Sequence, residues 1–333
     1  MAGSKSAVSA SEGHAAEAAT ALLAKGNAVD AVVAGVFAAA ASSPGVLLGH
    51  VQLLLGGAGL GLRAVDGRVR QPGKGAPRPR GFTADQTVPL SARVGVPLLP
   101  AALAAAHASA GAATLAQVMA PAVALAPVDG RRELLRRIAR HGASAMAEEA
   151  IASELVAVAG RVAGGLLTRD DLHGALPAIV AAAEQTSAVG ARRVVRVPWE
   201  GGLASSKVHV VAACDHRGLL AIACYERHED GVAVDALALV APLVASPVLR
   251  GETRVRPGAP IDAPAPMAMA CIASAGILDT AIGVALDARG DAIVGEILAA
   301  WAPDATTLPT YEGPGSLVGL VRGQGGASPL AKR

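Results

Sequence analysis

The chain has 333 residues, of which 52% are apolar, 17% charged and 2% aromatic, and its net charge is +2. Such an apolar share excludes a disordered chain. The near-neutral charge and the scarcity of aromatic rings exclude a nucleic-acid binder that stacks bases, so the core has to be assembled from Ala, Val and Leu, through many small contacts.

Ser9 and Glu12 stand at capping-box spacing, which predicts a helix through the Ala-rich run to Lys25, stopped by Gly26-Asn27. A second helix is expected from Ala28 to Ala41, ended ahead of Pro44. Residues 46–70 read as irregular strands. Within them Gly56, Gly57, Gly59 and Gly61 mark a tight backbone crossing, since no Lys-Ser/Thr follows as in a phosphate loop. Gln71–Arg80, rich in Pro, Gly, Lys and Arg, is a loop. Pro100 opens a helix closed at Gly111, and Thr114 with Gln117 forms a capping box for another reaching Ala126. Helices follow at 131–140 and 144–160, and Thr168, three residues ahead of Asp171, is a further start signal.

Beyond Gly190 the pattern turns to strands at Arg192–Val197, Lys207–Cys214 and Leu219–Glu226. The last two flank Asp215-His216-Arg217-Gly218, a tight-turn sequence, and so form a hairpin. Helices return at 277–288 and 292–301, and the Gly/Pro-rich tail after Thr307 reads as loosely packed. Helices, a sheet hairpin, then helices suit stacked α and β layers.

No stretch offers the roughly 20 apolar residues of a membrane span. Ala28–Ala41 is broken by Asp30, and Ala233–Leu249 contains Asp235, Pro242 and Pro247. Met1–Ser6 lacks the apolar segment of a secretory signal. Cys214, Cys224 and Cys271 read as reduced core residues. The expectation is a cytoplasmic protein with neither membrane nor nucleic-acid partner. The eight histidines have no metal-ligand spacing, so no metal or cofactor is expected. His14 and His107 read as ordinary helix residues, and His209 as a buried strand residue with a polar partner. Arg131, Arg132, Arg136, Arg137 and Arg140 have helical spacing around Leu134, Leu135 and Ile138. They read as a solvated helix face; the sharper reading is a docking face for an acidic partner.

Several segments in order resemble the γ-glutamyltranspeptidase family of N-terminal-nucleophile hydrolases. Ala7-Val8-Ser9-Ala10-Ser11, Glu17-Ala18 and Gly26-Asn27-Ala28-Val29-Asp30-Ala31 match its opening. Val94-Gly95-Val96-Pro97 with Ala104-Ala105-Ala106-His107 and Gly111 is similar to its Val-Pro-Gly segment and helix, and Pro121-Ala122 with Leu125-Ala126 to the end of the next. Gly164-Gly165-Leu166-Leu167-Thr168 with Asp171-Leu172 matches its Gly-Gly-x-(Leu/Ile)-(Thr/Ser)…Asp-Leu stretch. The resemblance implies a four-layer αββα sandwich. Residues 1–190 would correspond to the family's large subunit and 191–333 to its small subunit, around one shared core.

In the family the chain cuts itself before a Thr, whose hydroxyl attacks the γ-glutamyl carbonyl while its own α-amino group serves as base. Aligning the motif Thr-Thr-His-x-Ser-Val-Val-Asp-x-Asp-Gly without gaps on Asp215 and Gly218 puts Val208 at the nucleophile, His209 at the second Thr and Val210 at the His. Valine has no lone pair, so this register abolishes self-cleavage and catalysis. Matching Val210-Val211 to the Val-Val pair instead puts Ser205 at the nucleophile, at the cost of three extra residues that need a bulge or a longer loop.

The family's Asp-x-Arg-Glu-x-Ala-Pro loop, whose Arg holds the substrate α-carboxylate, corresponds here to Gly73-Lys74-Gly75-Ala76-Pro77. Lys74 keeps a charge but not a planar fork. The family's Ser-Ser-Met-Ser-Pro run corresponds to Asp262-Ala263-Pro264-Ala265-Pro266, and its oxyanion glycines to Ala275-Gly276. Its Leu-Asn-Asn segment has no counterpart between Tyr225 and Arg250.

The resemblance therefore implies a pseudoenzyme. It would stay uncut and act as a cytoplasmic scaffold or regulatory subunit, through a protein partner or self-association. Lys74, Asp262 and Gly276 would be remnants of a site for an amino-acid-like ligand. The alternative is a self-processing amide hydrolase or acyltransferase of altered specificity, with Ser205 as nucleophile after cleavage of the Ala204–Ser205 bond and Lys207 as base.

Overall fold

The computed structural model describes residues 6–57, 59–186, 192–199, 207–263, 267–274, 277–278, 280–285, 316–323 and 326–329. Chain order begins with β1 (Ala7–Ala10), α1 (Gly13–Leu23), α2 (Ala28–Ser42), β2 (Val51–Gly57) and β3 (Leu60–Gly67). A helical stretch follows: α3 (Leu99–Ala110), α4 (Leu115–Leu125), α5 (Asp129–His141), α6 (Glu149–Ala159) and α7 (Arg169–His173). Next come β4 (Ala178–Ala181), β5 (Ala183–Thr186), β6 (Arg192–Arg196), β7 (Lys207–Cys214), β8 (Leu220–Arg227), β9 (Val232–Val234) and β10 (Leu239–Ala241). The chain closes with β11 (Met267–Ser274), β12 (Ile277–Leu278), β13 (Thr280–Ala285), β14 (Ser316–Gly323) and β15 (Gly326–Pro329).

Helix α2 is apolar on every side, and Ala28 to Ala41 are all buried, so it is the central rod of the helix layer. Its start is tied down by a polar peg. Asn27 Oδ1 accepts from Val29 N at 2.9 Å and Asp30 N at 3.0 Å, and Asp30 Oδ2 accepts from Asn27 N at 2.9 Å. The same carboxylate accepts from the backbone N–H groups of Ala112 and Ala113 at 3.1 Å, just past α3. One buried side chain thus caps one helix and anchors the end of another. The capping boxes Thr114/Gln117 and Thr168/Asp171 form as the spacing predicts.

The antiparallel sheet nearer the helices has the order β1-β7-β8-β2-β3-β4, so the β7–β8 hairpin of the second half sits between strands of the first. β7 pairs β8 from Lys207↔Arg227 to Cys214↔Leu220 without a register shift. Asp215 Oδ1 closes the turn by accepting from Arg217 N at 2.8 Å and Leu219 N at 3.1 Å, and Gly218 supplies φ +87. The expected tight crossing is at Gly57, where a Cβ would lie 2.2 Å from the Gly218 carbonyl oxygen. A second sheet runs β15-β14-β13-β11-β6-β5, with β12 on β11.

Along β7 and β8 the side chains alternate between two cores. Val211, Ala213, Ala223 and Tyr225 face the helices. Val208, Val210, Ile222 and Cys224 face the second sheet, together with Leu54, Val195 and Leu320. Helix layer, sheet and sheet follow in the order of an αββα sandwich. Among the described residues no helix is long and apolar enough to cross a membrane.

Four expectations are corrected. Ser9 does not cap a helix, because Ala7–Ala10 pairs with β7 and its backbone groups are spent on that ladder. Glu12 precedes α1 without a side-chain cap bond and is held elsewhere, by Tyr225 and Arg227. The described part of the helix expected at 277–288 is strand instead: β13 lies between β11 and β14, and hydrogen bonding on both edges overrides local helix preference. The tail after Thr307, expected to be loose, contributes β14 and β15. Residues 286–288 and 292–301 lie outside the described residues.

The arginine run of α5 divides by position. Arg131 is buried and donates to the Ala41 and Ala238 carbonyls, while Arg132 pairs Asp129, Arg136 pairs Glu133, and Arg137 pairs Glu133 and Glu148.

Replacing the buried Asp30 with Ala leaves the N–H groups of Asn27, Ala112 and Ala113 without this acceptor, and we expect a loss of about 2 kcal/mol in urea unfolding with an unchanged m-value.

Candidate functional site

At one end of the space between the sheets the apolar alternation breaks. Gln52 on β2 stands opposite Asp66 on β3, and Glu226 on β8 stands opposite Val208 on β7. His50 lies just before β2, Arg68 just after β3 and His228 just after β8. All six polar residues are buried. A sheet face that elsewhere buries Leu, Ile and Val thus collects two carboxylates, a guanidinium and two imidazoles.

Asp66 organises half of the cluster. Its Oδ1 accepts from Arg68 N and Nε, both at 3.0 Å; its Oδ2 accepts from Arg68 Nη2 at 3.1 Å and Arg70 Nη2 at 2.9 Å. Burial alone would raise its pKa, but the bonds from Arg68 and the charge of Arg70 win and hold it below the usual carboxylate value. The Arg68 guanidinium lies 5.0 Å from the centre of the Trp199 ring, and Trp199 Nε1–H donates to Gln52 Oε1 at 3.1 Å. Arg68 Nη1 makes no hydrogen bond with the described residues.

Glu226 organises the other half. Its Oε2 lies 3.6 Å from His50 Nε2 and 3.4 Å from His228 Nε2. His50 Nδ1 accepts from Val69 N at 3.0 Å, so the neutral ring carries its proton on Nε2, facing the carboxylate. Burial lowers the His50 pKa to about 4, against the pull of Glu226. The ring is therefore neutral at pH 7. Cys224, next along the same face, has its thiol pushed well up by burial and by Glu226, and is not a nucleophile. Val208 is 8% exposed and contributes only methyl groups.

The arrangement can therefore hold a carboxylate at Arg68, with the Glu226 carboxyl group and the neutral His50 imidazole close by. Among its described residues it has no hydroxyl or reactive thiol with which to attack a carbonyl. Among the described residues no three His, Cys, Asp or Glu side chains are placed to hold a metal ion.

Other residues singled out in the sequence fall elsewhere. His209 faces the helices: its Nδ1 lies 3.3 Å from Ser11 Oγ, its Nε2 3.7 Å from Glu12 Oε1, and its ring stacks on Tyr225 at 5.6 Å. Burial, against Glu12, holds its pKa below the ordinary value. That is the buried strand histidine with polar partners. Lys74 is exposed, on a loop whose Gly73 and Lys74 N–H groups donate to Asp171 at 2.8 Å. Asp262 is exposed, in a segment joined to the end of β3 by Ile261 N to Val69 O at 2.9 Å. Ser205 and Gly276 lie outside the described residues.

The cluster itself escaped sequence reasoning, yet a signal was present. Asp66-Gly67-Arg68 followed by Pro72 repeats the spacing of the Asp-x-Arg-Glu-x-Ala-Pro pattern, and it puts a guanidinium in the cleft where Lys74 does not reach. Gln52, Asp66 and Glu226 are also polar breaks in otherwise apolar strands.

Two solved structures share this fold over most of the chain. Cephalosporin acylase from Bacillus halodurans is 16% identical, with 85% of this chain and 77% of that chain covered, at a TM-score of 0.68. LmbA2991HD is also 16% identical, with 94% and 83% covered, at 0.69. The γ-glutamyltranspeptidase of Helicobacter pylori is 20% identical over 56% of this chain and 67% of its own, at 0.47, too loose a superposition to argue from. No protein-family model and no curated protein matches the sequence. At such identities the likeness establishes the fold alone: an αββα sandwich, as the ordered motifs implied.

Because His50 binds its proton more weakly when folded than when unfolded, its contribution is complete above pH 6.5 and is lost as pH falls toward 4. Unfolding free energy should drop by up to about 3 kcal/mol across that window from this group. In His50→Gln the drop should be visibly shallower in urea titrations run between pH 7 and pH 4.

Proposed function

We propose that this chain is a γ-glutamyltranspeptidase-like protein that neither cuts itself nor hydrolyses amides, and that it acts in the cytoplasm as a scaffold or regulatory subunit. One observation carries the reading. Val208, at the position that would supply the nucleophile, is packed into the core between the sheets and stands in regular register opposite Glu226. An apolar side chain there offers no lone pair to a carbonyl.

The cleft around it is not stripped. Arg68 remains beside Val208's end of the sheet with one nitrogen uncommitted to the described residues, which suits an amino-acid-like ligand held by its carboxylate. A protein that binds such a ligand without transforming it can report the ligand's presence to a protein partner or to a second copy. The buried free thiol of Cys224 is compatible with a reducing compartment.

The test is the intact mass of freshly purified chain under denaturing conditions. We expect one species at 32.8 kDa, and no γ-glutamyl transfer to a dipeptide acceptor. Two fragments summing to that mass, with a new terminus at Ser205 that Ser205→Ala abolishes, would replace this reading with the self-processing acylase.

A further inference from the structure

We propose that the cavity between the loop over residues 75–82 and the segment over 161–168 binds an organic phosphate, a compact polyanion attached to an apolar body. The cavity has a volume of about 630 Å³, within the range of ligand sites. Its charged wall residues are Arg78, Arg80 and Arg161, and no Asp or Glu lines it. Composition does not explain that imbalance, because the chain carries 27 acidic residues against 29 basic ones.

Several other arginines find a carboxylate. Arg68 and Arg70 share Asp66, Arg132 has Asp129, Arg136 and Arg137 have Glu133, and Arg169 has Glu149. Arg78, Arg80 and Arg161 form no ion pair with a described residue. A concave wall focuses their positive potential inward, where an anion relieves the mutual repulsion. A fourth cation stands behind the same loop: Arg254, whose Nη2 lies against Gly73 and whose buried Nε and Nη2 have no hydrogen-bond partner.

The loop is built to hold its shape without ligand. Asp171 clamps its entry through the Gly73 and Lys74 N–H groups, and Gly75 and Gly81 bend it at φ +71 and +77. Between those glycines, Pro77 and Pro79 fix φ beside Arg78 and Arg80, so little backbone freedom is lost when an anion binds. Three guanidinium forks along one cavity wall suit the several oxygens of a phosphoryl group better than a single carboxylate. Phe82, Pro77 and Val248 supply an apolar wall for the rest of the molecule. Phe82 is set firmly, its N–H donating to the Val248 carbonyl at 2.9 Å and its carbonyl accepting from Arg250 N at 2.8 Å.

None of these residues belongs to the Arg68–Glu226 cleft, so the proposal holds whether or not the chain cuts itself. The test is calorimetric titration and thermal unfolding of the full chain with ADP, pyrophosphate and citrate as probes. ADP should bind and raise the melting temperature, and Arg80→Gln and Arg161→Gln should each weaken it about tenfold or more. Arg217→Gln, in the distant β7–β8 turn, should leave binding unchanged. Both wall variants should melt like the parent without ligand, since neither side chain makes an ion pair. Absence of ADP binding at millimolar concentration, or binding indifferent to both wall variants, overturns the proposal. Pyrophosphate binding as tightly as ADP removes the apolar body from it, and citrate doing so removes the phosphate.

Discussion

The register between β7 and β8 is the constraint on which the rest of this structure depends. It is locked at one end by the Asp215 carboxylate and Gly218, and it runs unbroken to Lys207↔Arg227. Because strand side chains alternate, a slip of one residue would exchange the two cores. Val208 and Glu226 would turn to the helices, and His209 and Tyr225 would enter the space between the sheets. The identity of the residue at the head of the cleft is therefore a consequence of one turn. The same register places β1 against β7, and with it Glu12 between Tyr225 and Arg227.

Burying the Asp66–Arg68–Arg70 group and the Glu226 pair of imidazoles is expensive, and a well-packed apolar cluster would serve folding at least as well. Polar residues kept in such a place point to a use other than stability. The cleft holds a cation aligned by a carboxylate and an aromatic face, with a carboxyl group between two imidazoles beside it. What it lacks, among the described residues, is an atom to attack with.

The second charged place, the arginine-lined cavity, follows a different logic. In the cleft the Asp66 carboxylate lies between the Arg68 and Arg70 guanidinium groups. Around the cavity the charges of Arg78, Arg80 and Arg161 are left open toward the space they enclose, on a loop stiffened by Pro77 and Pro79. The two sites share one support. Arg70 and Gln71 leave the cleft and lead directly into the loop, and Asp171 fastens it.

What the sequence by itself determined was local. The capping boxes at Thr114/Gln117 and Thr168/Asp171 act within four residues, as does the turn at Asp215–Gly218, and each is legible because its hydrogen bonds close within the segment. The ordered family-like motifs carried the fold class for the same reason, being short stretches with their own geometry. Tertiary structure decided the rest. Ala7–Ala10 became a strand only because β7 offers it a ladder, and Thr280–Ala285 only because β11 and β14 flank it. His50, Arg68 and Glu226 read singly as unremarkable polar residues, and they form a site only when three strands from distant parts of the chain align in register. Hydrogen bonds closed across a sheet, and the side of the sheet each residue takes, belong to pairing partners that no local window of sequence contains.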